Sequence, residues 1–217
     1  TELRVFNPED YWVRLRLTLS MLDGDEAAGV LSRETEFDLG PRRTRVIGDV
    51  VQEIIPVPPA NIKGSLRVTV VDPVGARPVV ASRTFTTSSD GTYGQFIPAV
   101  PVLADDVSEG LYVAGLAENT DFRTNIGVTN LTDAAVPNIR LTAYGEDGGM
   151  IDDYVVGAPA HANVQVRVAD VLDLAGAEVF SLRVDTGGAK VVAYASVVHN
   201  VSDDPVLLMP NRAKIGR

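Results

Sequence analysis

Histidine occurs twice in this chain of 217 residues and cysteine not at all, which narrows the chemistry open to it. His161 stands in Pro159-Ala160-His161-Ala162-Asn163 and His199 in Val198-His199-Asn200. A hydrolytic triad needs a base, a nucleophile and an orienting acid brought together in space. Neither histidine lies in a motif that supplies them, and no Gly-x-Ser-x-Gly elbow is present, so each reads as an isolated surface residue. Metal motifs fail in the same way: there is no His-Glu-x-x-His, no paired histidine spacing, no EF-hand loop and no thiolate. Gly148-Gly149 and Gly187-Gly188 lack the helix and lysine of a phosphate loop. The expectation is a chain that is not an enzyme, with no catalytic residue and no cofactor.

Carboxylates and aromatics carry the remaining possibilities. Acidic residues cluster at Asp23, Asp25 and Glu26, at Asp105 and Asp106, at Asp152 and Asp153, and at Asp203 and Asp204. Calcium takes carboxylate and carbonyl oxygens in loops of this kind. Asp105 and Asp106, between the two halves, are the first candidates for a rigidifying calcium ion, with Asp23 and Asp25 next; solvated turns are the plainer reading. Tyr11, Trp12 and Tyr93 are the candidate ligand-contact aromatics in a chain that is only 6% aromatic. Tyr11 and Trp12 adjoin in an alternating run and are expected on opposite faces of a strand. Asn130-Leu131-Thr132 and Asn200-Val201-Ser202 match the glycosylation sequon.

The scaffold that must position these residues is duplicated. Ser65-Leu66-Arg67-Val68 returns as Ser181-Leu182-Arg183-Val184, and shorter matches flank both copies in the same order. Thr1 pairs with Thr124, Val5 with Val128, Asn7 with Asn130, Asp10 with Asp133 and Val13 with Val136. After one inserted residue, Arg16-Leu17-Thr18 meets Arg140-Leu141-Thr142 and Asp23-Gly24 meets Asp147-Gly148. Asp49-Val50 then meets Asp170-Val171, and Val79-Val80-Ala81 meets Val191-Val192-Ala193, running on without a break to Pro98 and Pro210. Insertions confined to connections, with the apolar runs intact, are expected of duplicated domains that each keep a core. A residue type recurring at equivalent places, such as Asp49 and Asp170, therefore reads as architectural, here a helix cap.

Composition bounds the class. Hydrophobic residues make up 45% and charged residues 22%, enough for each half to bury a core. The net charge of −10 argues against a nucleic-acid surface, and Arg42-Arg43-Thr44-Arg45 reads as a solvated strand edge. The apolar runs are strand-sized and too short for a transmembrane helix. Arginine outnumbers lysine 16 to 3, as expected of a GC-rich bacterial genome. The chain begins at Thr1 without methionine or a leader-like segment, as expected of a mature form or a piece of something longer.

Val13, Leu15, Leu17 and Leu19 alternate with Arg14, Arg16 and Thr18, the pattern of a half-buried strand, and residues 139–144 repeat it. Further strands are expected over residues 65–71, 79–86 and 93–97, with counterparts at 180–185, 191–198 and 206–209; short helical pieces are expected at 47–54 and 168–174. Residues 111–116 form an apolar stretch that adds a strand to the second half and has no counterpart in the first. About seven short strands per half predict an all-β chain of two tandem immunoglobulin-like antiparallel sandwiches: residues 1–101, a linker at 102–109, and 110–217.

Two segments carry a family likeness, Phe122-Arg123-Thr124-Asn125-Ile126-Gly127-Val128-Thr129-Asn130 and Gly91-Thr92-Tyr93-Gly94-Gln95-Phe96-Ile97-Pro98. With them the chain resembles the tandem immunoglobulin-like or fibronectin-III-like sandwich modules of large secreted or surface-anchored bacterial proteins. The resemblance implies an extracellular or cell-surface, usually non-enzymatic module. The expected function is a structural or adhesive segment whose partners are other domains of its parent chain or neighbouring copies of itself, with Leu111, Tyr112, Val113 and Leu116 as a strand-exchange or interdomain segment. The first half either manages with one strand fewer, or takes that strand from upstream in the parent chain or from a neighbour, and in the last case strand donation joins copies into a filament or surface layer. The alternative is an accessory module of a secreted hydrolase, binding carbohydrate or protein through Tyr11, Trp12 and Tyr93.

Overall fold

A computed structural model describes residues 1–22, 30–58, 62–89, 91–102 and 110–212. The chain divides into two compact units, Thr1–Pro101 and Val102–Arg217. It is all-β, with two short helices and antiparallel pairing throughout. Unit 1 contains β1 (Glu2–Phe6), β2 (Val13–Leu22), β3 (Val30–Leu39), β4 (Thr44–Ile47), α1 (Val50–Ile54), β5 (Gly64–Asp72), β6 (Val79–Ser88) and β7 (Gly91–Pro98). Unit 2 contains β8 (Leu111–Ala117), β9 (Phe122–Asn130), β10 (Val136–Tyr144), β11 (Met150–Ala158), β12 (Asn163–Arg167), α2 (Val168–Val171), β13 (Val179–Asp185), β14 (Val191–His199), β15 (Pro205–Leu208) and β16 (Asn211–Arg212).

The sheet orders reveal one plan used twice. Unit 1 has sheets β4-β1-β6-β7 and β3-β2-β5; adding eight to each number gives β12-β9-β14-β15 and β11-β10-β13, which are sheets of unit 2. The second of these continues in unit 2 as β13-β8-β16. In unit 1 both sheets feed one core. Leu3, Val5 and Ile47 come from the first; Val13, Leu15, Leu17, Leu19, Met21, Phe37 and Leu39 come from the second. The five alternating side chains of β2 are all at most 5% exposed, while Arg14 and Arg16 face outward, as period-2 patterning requires.

Strand pairing refines the sequence match. The residue inserted between Val136 and Arg140 is a β-bulge: Val136 and Ile139 pair with Ala158 and Val156, three steps on β10 against two on β11. The Ser-Leu-Arg-Val repeats are true equivalents, since Leu17 pairs with Val68 as Leu141 pairs with Val184. The valine match later in the chain is one residue out of step. Val5 faces Val80 and Val128 faces Ala193, so Val80 corresponds to Ala193 and Ser82 to Ala195. Ser82 pairs with Ile97 and Ala195 with Leu208, so the continuous run to Pro98 and Pro210 does not hold either. Repeated valines in an alternating strand align equally well in two registers, and only the partner strand chooses.

Asp49 and Asp170 also part company. Asp49 caps α1, accepting from the Val51 amide at 3.0 Å, whereas Asp170 lies inside α2, whose cap position is Arg167 with no side-chain bond. What the two helices share is apolar: Val50 and Val168 are both buried at the helix start.

Asn7 and Asn130 are the strongest equivalence. Each is fully buried and fastens the same three backbone segments. Asn7 Nδ2 donates to the carbonyls of Tyr11 (2.8 Å), Leu39 (3.1 Å) and Gly40 (3.1 Å), and its Oδ1 accepts from the Glu9 amide at 3.0 Å. Asn130 Nδ2 donates to Ala134 (2.8 Å), Ala158 (3.1 Å) and Pro159 (3.0 Å), and its Oδ1 accepts from the Thr132 amide at 2.8 Å. An Asn side chain is suited to this position because its two N–H groups, one of them shared, reach three carbonyls while its oxygen accepts the turn amide. The Asn130 sequon is thus a buried structural residue in the folded chain.

Candidate functional site: a sheet edge

The residues singled out for chemistry are mostly engaged in structure. His161, at φ 59°, pairs its Nε2 with Asp133 Oδ1 at 2.9 Å. His199 packs against Phe122 with the rings tilted by 59° and their centroids 5.4 Å apart, and its Nδ1 meets Ser202 Oγ at 2.9 Å in the turn after β14. The Asp152 carboxylate accepts from the amides of Asp153 and Asp173, Asp153 pairs with Arg140, and Asp203 pairs with Arg123. Asp147 Oδ1 accepts from the Gly149 amide, closing its turn around Gly148 at φ 80°. Among the described residues no group of three or more His, Asp or Glu side chains could hold a metal ion. Asp23, Asp25, Asp105 and Asp106 lie outside the described residues.

Tyr11 and Trp12 are not on a strand: β2 begins at Val13, and both rings are exposed, by 42% and 65%. They precede the strand because the backbone here turns to meet Asn7, whose amide holds the Tyr11 carbonyl. The indole lies against Gly40, where an added Cβ would come within 3.4 Å of Trp12 Cη2. Tyr93 is on β7 and 42% exposed.

The feature that distinguishes the two units lies elsewhere. β13 is paired on both sides, to β10 and to β8. Its unit 1 counterpart β5 is paired, among the described residues, only to β2. In unit 2, Phe180, Leu182 and Val184 face Leu116, Val113 and Leu111 of β8, and all six are at most 4% exposed. In unit 1, Leu66 and Val68, equivalent to Leu182 and Val184, are only half-buried, as is Val70 further along. Tyr112, between Leu111 and Val113, faces the opposite side and is half-buried. The stretch at 111–116, noted in the sequence as unmatched, is therefore the strand that covers β13 in unit 2.

The facing sheet shows the same deficit. Ala195 and Val197 of β14 are buried in unit 2; their counterparts on β6 are half-buried Ser82 and exposed Thr84. Both hydroxyls are bonded within the unit, Ser82 Oγ to the Ile97 carbonyl and Thr84 Oγ1 to Thr1 Oγ1, each at 3.1 Å. Where unit 2 has buried apolar residues, unit 1 thus has half-buried aliphatic side chains on β5 and hydroxyls on β6.

The outer surface of the sheet β3-β2-β5 is charged. Arg14 grips Asp38 at 2.7 and 3.0 Å, and Arg16 grips Glu36 at 2.6 Å with Glu34 at 3.8 Å. The hydrogen bond from Arg14 holds the Asp38 carboxyl below its ordinary value of 3.8, and the same bond raises Arg14. This depressed acid contributes stability above the unfolded value near pH 4 and loses it as pH falls through the lowered one. A sheet apolar inside and charged outside suits an added strand of the same amphipathic pattern.

No family model, curated protein or solved structure matches the chain.

Proposed function

We propose that the chain is a non-catalytic structural or adhesive segment of a bacterial extracellular or cell-surface protein, acting as a tandem sandwich module that joins partners through a sheet edge. The observation that carries this reading is the difference between two copies of one strand plan: unit 2 covers β13 with β8, and unit 1 leaves the equivalent β5 without a second strand among the described residues. A sheet edge beside half-exposed aliphatic side chains suits pairing with another strand. We take the construction as immunoglobulin-like with its outer strands exchanged. β14 lies beside β9 and β8 beside β13, whereas in the immunoglobulin plan the last strand joins the sheet that holds β10 and β13 here.

Sedimentation velocity of the intact chain, from micromolar to near-millimolar protein, is expected to show concentration-dependent growth that lowered salt alone does not produce. A single sharp monomer across the range would remove self-assembly from the proposal. The second reading, an accessory polysaccharide-binding module, is favoured by one observation: the 65% exposed ring of Trp12 beside Tyr11. Trp12 is the sole tryptophan, so its emission tests that reading directly, and an unchanged spectrum on titration with soluble polysaccharides would dismiss it.

A further inference from the structure

We infer that the end of unit 1 carrying Trp12, Arg42 and Arg43 is a binding site for an acidic saccharide, a uronic-acid glycan whose ring stacks on the indole and whose carboxylate meets the arginines. The inference rests on the polysaccharide-binding reading above and names the class of sugar. The two units share the frame of this end. Asn7 and Asn130 fasten it alike, and their backbone amides donate at 2.9 Å to equivalent carbonyls, of Arg43 in unit 1 and Ala162 in unit 2. Arg42 and His161, one residue earlier, share the left-handed backbone, at φ 53° and 59°. On that common frame Tyr11, Trp12 and Arg43 stand where unit 2 has Ala134, Ala135 and Ala162. Unit 2 closes the same turns with small side chains, so the fold does not require the large ones.

The large ones are exposed and adjacent. The Trp12 ring is 65% exposed. Trp12 Cη2 and Arg43 Cδ lie 3.4 and 3.5 Å from the point where a Gly40 Cβ would stand, so the indole edge and the arginine stem sit side by side over that glycine. Arg43 runs its methylenes past Gly40 and carries its charge to the surface. Among the described residues neither Arg42 nor Arg43 meets a carboxylate, whereas Arg45 is held by Glu53 at 2.6 Å and lies 4.4 Å from the Phe37 ring centre. An aromatic face takes the C–H surface of a sugar ring, and a guanidinium fits a planar carboxylate with two parallel bonds. Two acids stand nearby. Glu9 accepts the Arg77 amide at 3.3 Å, and Asp10 is exposed, where its counterpart Asp133 pairs with His161. Nucleic acid and anionic membrane spread phosphates widely and need an extended basic surface, for which a chain of net charge −10 is unsuited. A short glycan stretch presents one carboxylate to two arginines.

The test titrates the full chain with oligogalacturonate and with its methyl ester, the same sugar without charge, and reads the emission of Trp12, the sole tryptophan. Expected is a saturable change with the acid, weakened by added salt and at least about tenfold weaker with the ester. Arg42→Gln and Arg43→Gln leave the probe in place; each is expected to weaken the acid by about threefold or more while unit 1 melts unchanged, and the two together to abolish the preference. Asp10→Asn is expected to tighten the acid by about twofold and leave the ester unchanged, a response that a purely structural Asp10 would not give. By calorimetry Trp12→Ala is expected to lose binding of both. Equal binding of acid and ester would overturn the inference and leave the polysaccharide reading standing. No response to either form would overturn the inference, and silence toward neutral polysaccharides as well would remove the reading beneath it. A preference for acid that survives the double glutamine variant would place the carboxylate elsewhere and overturn the site. A stronger response to single-stranded DNA or to phosphatidylglycerol vesicles would overturn it in favour of that partner.

Discussion

Replacing Asn130 by alanine is expected to destabilise unit 2 by about 3–5 kcal/mol, and Asn7→Ala to do the same to unit 1. The physical basis is the number of hydrogen bonds lost at once. Truncation at Asn130 removes a donor from the carbonyls of Ala134, Ala158 and Pro159 and the acceptor of the Thr132 amide, although Ala134 keeps a bond from Thr132 Oγ1 and Pro159 one from the Ala162 amide. A buried polar group left unmatched costs about 1–3 kcal/mol, discounted here because water can reach some of these groups at the ends of strands. In calorimetry each variant should lower one transition selectively, because each asparagine fastens only its own unit. Asn130→Asp should be worse at neutral pH than Asn130→Ala, since a carboxylate would face three carbonyl oxygens, and should recover in part as acid protonates it. Losses below about 1 kcal/mol in both alanine variants would show that these networks close the loops without stabilising them.

Leu182→Ala and Leu66→Ala, at equivalent positions of the repeat, should differ by about 2 kcal/mol or more. Leu182 is fully buried between β10 and β8, so truncation should cost about 3–4 kcal/mol, combining lost transfer energy with a cavity. Leu66 is half-buried with water on one side, which leaves less apolar area to lose and little cavity to create; about 1 kcal/mol is expected. Denaturant titrations resolving the two units measure both. Equal losses would mean that Leu66 is as well covered in solution as Leu182 and would close the site proposed on β5.

The same pair of leucines shows how far a linear reading reaches. Ser-Leu-Arg-Val is legible as a repeated strand because its apolar residues alternate, and alternation reports which face of a strand is buried. It is silent on how many neighbours the strand has. β3 and β11 were not legible at all: only their last few residues reach the core, Phe37 and Leu39 in one and Val156 and Ala158 in the other. The rest of each is an edge with mixed polarity and no period to read. Tyr11 and Trp12 look like the start of an alternating strand, yet the backbone bonds gathered by Asn7 hold this segment as a turn, a constraint made across more than thirty residues of sequence.

The candidate site was half visible. That residues 111–116 have no counterpart in the first unit is a fact of the sequence, as are the duplication, the alternating strands of β2 and β10, and the acidic-glycine turn at Asp147. Tertiary structure decided that the unmatched strand lies on β13, that the inserted residue is a bulge, that β6 and β14 correspond one residue away from their best textual match, and that Asn7 and Asn130 are buried fasteners. The division has one physical cause. Burial selects side chains and is written in their order along the chain, whereas edge pairing is made by backbone amides and carbonyls that every residue but proline carries alike.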